Sequence, residues 1–338
     1  MRCFEHKIWK EDEYDYKAAY GFRPDIHAYI HDEDTSDRDC MLVVPGGGYC
    51  MCAPHEGEPV ARAFFDMGMN TFVLTYTTDQ TMSVPLHKQP LNDISRAVRY
   101  LRKNSSELHI SNKKLILCGF SAGAHLCGSL AVHYMDISDP DISYNENSNR
   151  PDGVILSYPV ITTGEYTHIY SVYSLCGFHP SVEELQYFSI EKNVVNDTPP
   201  CFLWQTATDD AVPVENSYLM AMALKKHNIP FAHYVYPEGW HGLGLCNSDY
   251  FNHAGTGEYV MDQYHRVVDA VRNGNTVSVS KERINELLAQ FKYEEETYEK
   301  EILESKLSDK TDDPYIQRLI SSISTWPGLA YDWIESIG

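Results

Sequence analysis

Short apolar runs alternate with segments of helical periodicity over most of this chain. Runs at 25–30, 41–44, 71–76 and 115–118 read as strands. Later runs at 154–156, 202–205 and 231–236 do the same, the last with apolar and polar positions in alternation. Between them, 59–67, 91–102 and 122–133 read as helices, and Ile94, Val98 and Leu101 share one side of the second. Strand and helix alternating through the first half predict an α/β fold with a mostly parallel central sheet and helices on both faces. No internal repeat is evident. Two stretches break the rhythm. The first, 162–198, is rich in Tyr, His and Ser and is a candidate cap. The second, 252–324, is a helical insertion placed before a closing helix at 326–337, whose Pro327 suits a first turn. The expected organisation is one domain over 1–338, with its core at about 23–251 plus the closing helix.

The run Leu115-Ile116-Leu117-Cys118 enters Gly119-Phe120-Ser121-Ala122-Gly123 and then the helix at 122–133. Strand, sharp turn and helix around G-x-S-x-G is the context of a nucleophile elbow. A serine on so tight a turn needs neighbours without side chains, so that its hydroxyl stands free. Serine is a weak nucleophile at neutral pH and requires a base. In this architecture the chain order is Ser, acid, His. The run at 202–205 leads to Thr206-Ala207-Thr208-Asp209-Asp210-Ala211-Val212-Pro213, and the strand at 231–236 to Pro237-Glu238-Gly239-Trp240-His241-Gly242-Leu243. Both loops follow the C-terminal ends of strands, where parallel α/β sheets bind ligands. His241 is the expected base. Asp209 is the expected acid, because its D-x-x-V-P setting resembles the acid loop of many α/β-hydrolases. Asp210 is then a solvated carboxylate or a cap for the helix starting near Val214. His125 is expected to be a packed neighbour, and His133, His168, His227 and His233 to have surface or core roles.

The run at 41–44 opens into Pro45-Gly46-Gly47-Gly48-Tyr49. Consecutive glycines let backbone N–H groups converge on one point, which suits a tetrahedral oxyanion. The loop lacks G-x-x-x-x-G-K-[ST], so a nucleotide site is not expected. Gly47, Gly48 and Ala122 are the expected oxyanion donors. Tyr49 and Trp240, which flank this loop and the base, are the candidates for lining the substrate pocket. Tyr170, Tyr173 and Phe178 in the cap are expected either to contact substrate or to pack the cap onto the core.

Together these segments resemble the α/β-hydrolase superfamily, and within it the bacterial acetyl-xylan-esterase-like group of esterases and lipases. The match is carried by Pro45 to Tyr49 with Glu56-Gly57-Glu58-Pro59-Val60-Ala61, Pro90-Leu91-Asn92-Asp93, Gly119 to Gly123, Trp204 to Ser217, and Pro237 to Leu245. The resemblance implies a serine carboxylesterase that works through an acyl-enzyme on Ser121. It needs no metal or organic cofactor, and its substrate is a small acyl ester, in particular acetyl groups on xylo-oligosaccharides. Other small ester or amide hydrolases on this fold, lipase-like or arylformamidase-like, are the nearest alternatives. A non-catalytic binding protein with the same fold is the alternative from another class.

Composition narrows the partners. A formal net charge of −21 over 338 residues disfavours nucleic acid, phosphate-rich ligands and anionic membranes. No apolar run approaches the ~18 residues a membrane span needs. Met1 to Lys7 has no apolar h-region, so a secretory signal is not expected. Nine cysteines without a regular framework suit buried free thiols in the cytoplasm. Cys50 and Cys52 invite a metal reading, but no Cys or His cluster lies near them in sequence. Within the insertion, Ile284, Leu287, Leu288 and Phe291, then Tyr298, Ile302 and Leu303, fall at helical spacing, and Glu294-Glu295-Glu296 marks a solvated face. Springing from the loop beside His241, the insertion is a lid, a contact in a homo-oligomer, or a surface helix pair.

Overall fold

The computed structural model describes residues 1–33, 35, 37–253, 257–307 and 309–337. Its strands are β1 (Arg2–Lys7), β2 (Asp25–Ile30), β3 (Cys40–Val44), β4 (Asn70–Thr75), β5 (Leu115–Phe120), β6 (Gly153–Ser157), β7 (Cys201–Thr206) and β8 (Phe231–Tyr236). They form one sheet in the order β1-β2-β4-β3-β5-β6-β7-β8. β2 runs antiparallel to both its neighbours, and the pairs from β4 through β8 are parallel. This is the α/β-hydrolase arrangement. Every residue of β3 to β7 is buried, which is why these strands read as continuous apolar runs. Among the described residues no helix is long and apolar enough to cross a membrane.

The helices that matter for the site are α1 (Glu58–Asp66), α2 (Gln89–Lys103), α3 (Ala122–His133), α4 (Ile169–Cys176), α5 (Val182–Phe188), α6 (Glu215–Lys226), α7 (Asp262–Arg272), α8 (Lys281–Leu307), α9 (Pro314–Ile323) and α10 (Trp326–Ser336). α2 buries Ile94, Val98 and Leu101 together, as its periodicity predicts. α10 closes the fold, with Trp326 wholly buried and stacked on Trp204 of β7 at 5.3 Å.

β1 is a difference from the sequence. Four of its six residues are Arg, Glu, His and Lys, so it carries no apolar signal. It forms because β2 offers an unpaired edge, and Lys7 faces Asp25 across the ladder. The stretch 162–198, expected to form a cap, holds α4 and α5, the latter started by a capping box between Ser181 and Glu184. In the insertion, Leu287 and Phe291 of α8 bury against Val267, Val268 and Val271 of α7 as a satellite cluster. Leu288 is 38 % exposed, on the outer side of that face. The side chains of Ile302 and Leu303 lie outside the described residues.

The insertion is tied to the loop after β4. Gln263 of α7 accepts the Thr78 N–H at 2.8 Å, and Ser83 donates to the Val277 carbonyl at 2.8 Å. That same loop meets the glycine segment, where the Asp79 N–H donates to the Tyr49 carbonyl at 3.0 Å.

Candidate active site

The elbow, the glycine loop, the acid loop and the histidine loop all leave the C-terminal ends of strands in one sheet. Val44 pairs with Gly119 in register, so the chain leaves β3 and β5 side by side. Ser121 sits at φ 51° and ψ −117°, a strained conformation for a residue with a side chain, of order 1–3 kcal/mol. The turn closes so tightly that a Cβ on Gly123 would lie 2.2 Å from the Val44 carbonyl oxygen. One on Gly119 would lie 2.5 Å from the Gly123 carbonyl oxygen. These contacts explain both glycines of the motif physically.

His241 Nε2 lies 2.8 Å from Ser121 Oγ, and His241 Nδ1 lies 2.8 Å from Asp209 Oδ2. The Asp209 side chain is 1 % exposed. It is held by N–H donors from Ala211 and Val212 at 3.1 and 2.9 Å and by the Gln205 amide at 3.3 Å. With these donors in place, its remaining interaction is directed at the imidazole Nδ1–H. Nε2 is thereby left to accept the serine proton. Asp210 does not cap α6, whose N-cap is Val214 without a side-chain bond. It accepts the backbone N–H of His241 at 3.1 Å instead. Neighbouring carboxylates thus hold the same residue, one by its ring and one by its backbone. The two loops are also joined at Gly239, which exchanges hydrogen bonds with Thr208 Oγ1 at 3.0 Å in both directions.

Gly47 and Gly48 take φ of 116° and 66°, values open to glycine and rarely to other residues. Ala122 is the first residue of α3, and the first four N–H groups of a helix have no intrahelical acceptor. Gly46 is pinned from behind: its N–H donates to Glu56 Oε2 at 2.7 Å. Glu56 is 2 % exposed, and its other oxygen accepts the Tyr158 hydroxyl at 2.7 Å. Tyr158 in turn accepts the Gly244 N–H at 3.0 Å. Its ring packs edge-on to the His241 imidazole at 4.9 Å. Burial, then the Glu56 charge, push the Tyr158 phenol well above its ordinary pKa, so it stays protonated and donates. His55 donates from Nε2 to the Gly242 carbonyl at 2.9 Å. The segment after the glycine loop therefore braces the histidine loop at two points.

Both expected pocket-lining residues have other surroundings. Tyr49 is 1 % exposed and its hydroxyl bonds to His125 Nδ1 at 2.8 Å. Trp240 packs against Phe251 and Tyr315 and donates to the Tyr250 hydroxyl at 3.4 Å. It joins the histidine loop to the insertion. His125 is the packed neighbour its position predicts. Its Nε2 donates to the Phe188 carbonyl at 2.8 Å, and burial lowers its pKa to about 4. His168 is half-buried and comes near the glycine loop. Its Cε1 is the nearest atom, at 3.8 Å, to where a Cβ on Gly48 would stand.

Sequence does not single out Glu56, Tyr158 or His168 for this region, and it gives Asp210 only a solvated or capping role. Tyr158 had a usable signal, since it directly follows a parallel strand at the same end of the sheet. His168 had none, because the cap that brings it in has no sequence periodicity tied to the core.

Fold and site define a class, and comparison with known proteins agrees. The BD-FAE family model matches residues 25–224. The endo-1,4-beta-xylanase B of Butyrivibrio fibrisolvens is 61% identical over 271 residues, which is 80% of this chain and 42% of that protein. The acetylxylan esterase of Xylanibacter ruminicola is 28% identical over 222 residues, 63% of this chain and 42% of that one. The chain thus spans less than half the length of these two relatives. A crystal structure of an acetyl ester-xyloside bifunctional hydrolase from Caldicellulosiruptor lactoaceticus superposes with a TM-score of 0.68 at 35% identity, covering 82% of this chain and 98% of that one. Fold and relatives place the chain among the α/β-hydrolases. It belongs to the BD-FAE family.

Proposed function

We propose that this chain is a serine esterase that removes small acyl groups, acetyl above all, from xylo-oligosaccharide esters. The observation that carries the mechanism is the relay of two 2.8 Å contacts from Ser121 through His241 to the buried Asp209. Ser121 Oγ attacks the ester carbonyl while its proton passes to His241 Nε2. Asp209 stabilises the imidazolium. The N–H groups of Gly47, Gly48 and Ala122 are the donors for the oxyanion. One such donor is typically worth about 2.7–4 kcal/mol to the transition state. The bond to the alcohol oxygen breaks as His241 returns the proton to it. Water, deprotonated by His241, then releases the acid and restores Oγ.

The sugar ester is supported by the names of the relatives, which join acetyl esters, xylosides and xylan. The xylanase name does not redirect the chemistry proposed for this site. Glycoside hydrolysis uses two carboxylates flanking the bond, whereas a Ser–His–Asp relay serves acyl transfer. The nine cysteines are all unpaired, which suits a reducing compartment, and we place the chain in the cytoplasm acting on oligosaccharides rather than polymer.

The test is acetate release from acetylated xylo-oligosaccharides beside an activated aryl acetate, with Ser121→Ala as control. Release from both, abolished in the variant, supports the reading. Cleavage of the aryl acetate alone removes the sugar from it. Activity that survives Ser121→Ala removes the mechanism.

A further inference from the structure

We infer that the start and outer face of α4, with Phe178 just beyond its end, form the subsite for the alcohol half of the ester. His168 contacts the pyranose that bears the acyl group, and Tyr170, Tyr173 and Phe178 stack against neutral pyranose units beyond it. The inference rests on the ester-hydrolase reading above and names the part of the site that reading leaves empty.

Three observations carry it. First, His168 reaches the catalytic centre from the cap. Its Cε1 stands over Gly48, and the charges of His241 and Asp209 both act on it. Second, its tautomer follows from its partner. Nδ1 lies 2.9 Å from Ser171 Oγ, and Ser171 is 1 % exposed with no other side-chain partner among the described residues. The buried hydroxyl satisfies its proton by donating to Nδ1. The proton of the neutral ring then sits on Nε2, bonded to the same Cε1 that faces Gly48. Burial, then the His241 charge, hold His168 below its ordinary pKa, so it stays a neutral donor and does not repel the imidazolium formed during catalysis. A neutral N–H donor suits a sugar hydroxyl or ring oxygen.

Third, aromatic rings continue outward from His168 without a gap. Ring centroids are 6.0 Å apart from His168 to Tyr170, 6.4 Å from Tyr170 to Tyr173, and 4.8 Å from Tyr173 to Phe178. Tyr170 and Phe178 are 59 % and 56 % exposed. The C-terminal end of α4 is tied to the loop before α2. The Leu86 and His87 N–H groups donate to the Ser174 and Leu175 carbonyls at 3.0 and 2.7 Å. An exposed aromatic ridge, continuous with the catalytic centre in a chain of net charge −21, fits a neutral sugar chain and disfavours a polyanion.

Two variants and two readouts test this. In His168→Ala, the ratio of kcat/KM on acetylated xylotetraose to that on an aryl acetate should fall about tenfold, the worth of one hydrogen bond. In the Tyr170→Ala/Phe178→Ala double variant, KM should rise for the tetraose ester and much less for an acetylated single xylose. Independently of turnover, unacetylated xylotetraose should bind the Ser121→Ala protein by calorimetry and lose affinity when the double variant is added. An unchanged ratio in His168→Ala overturns the inference while leaving the esterase intact. If the wild type does not cleave sugar acetates, the substrate reading fails on that arm, and xylotetraose binding alone decides the subsite, with no binding overturning it. Unchanged sugar kinetics together with a dimer that the double variant dissociates would assign the ridge to a second copy of the chain instead.

Discussion

Glu56 and Tyr158 lie 102 positions apart in the chain and meet at 2.7 Å in the protein interior. Through this contact the glycine loop and the histidine loop share one brace: Gly46 donates to one oxygen of Glu56, and Tyr158 links the other to Gly244. Both loops must hold their geometry to a fraction of an ångström for an oxyanion and a proton acceptor to meet one substrate carbonyl. The prediction is that Glu56→Gln and Tyr158→Phe each lower kcat roughly tenfold or more with little change in KM, the loss falling in the transition state. Because the two groups act as one brace, the double variant should cost much less than the sum of the single losses. Each variant also leaves a buried polar group short of a partner, about 1–3 kcal/mol of stability. Steady-state kinetics beside chemical denaturation separates the two effects. A pure stability loss with unchanged kcat would deny the brace a role in turnover.

Asp209 and Asp210 are adjacent, yet the structure separates their work. Asp209→Asn should lower kcat by about 10⁴, since the amide favours the wrong imidazole tautomer. Asp210→Asn keeps an acceptor for the His241 N–H and should cost less than about tenfold. Burst titration with an activated acetate, which counts competent sites, checks both. Equal losses would mean that the backbone contact matters as much as the ring contact.

Much of this site was legible in the sequence, for a definite reason. Ser121, Asp209 and His241 each follow an apolar run, and the parallel sheet turns that sequence position into one spatial edge. The same logic covers Gly47 and Gly48. What sequence could not carry is contact between side chains whose meeting depends on the fold. Tyr49 looked like a pocket wall because it follows the glycines, but the loop turns it inward to His125. Trp240 looked like one because it precedes the base, yet its ring goes to Phe251 and Tyr315. β1 escaped because its polar residues carry no apolar pattern, and only its pairing with β2 makes it a strand.

Acid stability should turn on His125. Its folded pKa is lowered to about 4, against about 6.5 in an unfolded chain. A depressed folded value means stability that is present above the unfolded pKa and lost as pH falls through the folded one. The loss spans pH ~6.5 to ~4 and amounts to about 3 kcal/mol. Asp93 works in the opposite sense. Buried, it accepts bonds from Trp9, Thr77 and Gln89, and burial raises its pKa to about 6. Its contribution is full below its unfolded pKa and lost as pH rises through about 6, so it offsets part of the His125 effect. His125→Gln should be less stable than the wild type at pH 7 and show a shallower decline toward pH 4.5. Thermal melts across that range check it, and parallel declines would place the acid sensitivity elsewhere.

The insertion offers the last test, because its own small core is separable from the main one. Phe291 is 2 % exposed against Val267, Val268 and Val271. Phe291→Ala should cost about 3–5 kcal/mol, the usual loss for a buried Phe. That loss should fall on α7 and α8 before the sheet, since the cluster stands apart from the main core. Hydrogen exchange should rise at 262–300 while β3 to β7 keep their protection. The functional consequence follows from Gln263, which holds Thr78 in the loop whose Asp79 supports Tyr49 beside the glycines. If the insertion steadies the glycine segment through that loop, kcat/KM on a sugar ester should fall more than on an aryl acetate. If instead it serves assembly, the sedimentation of the variant should change while the ratio of the two activities stays the same. Neither change would reduce it to a surface helix pair.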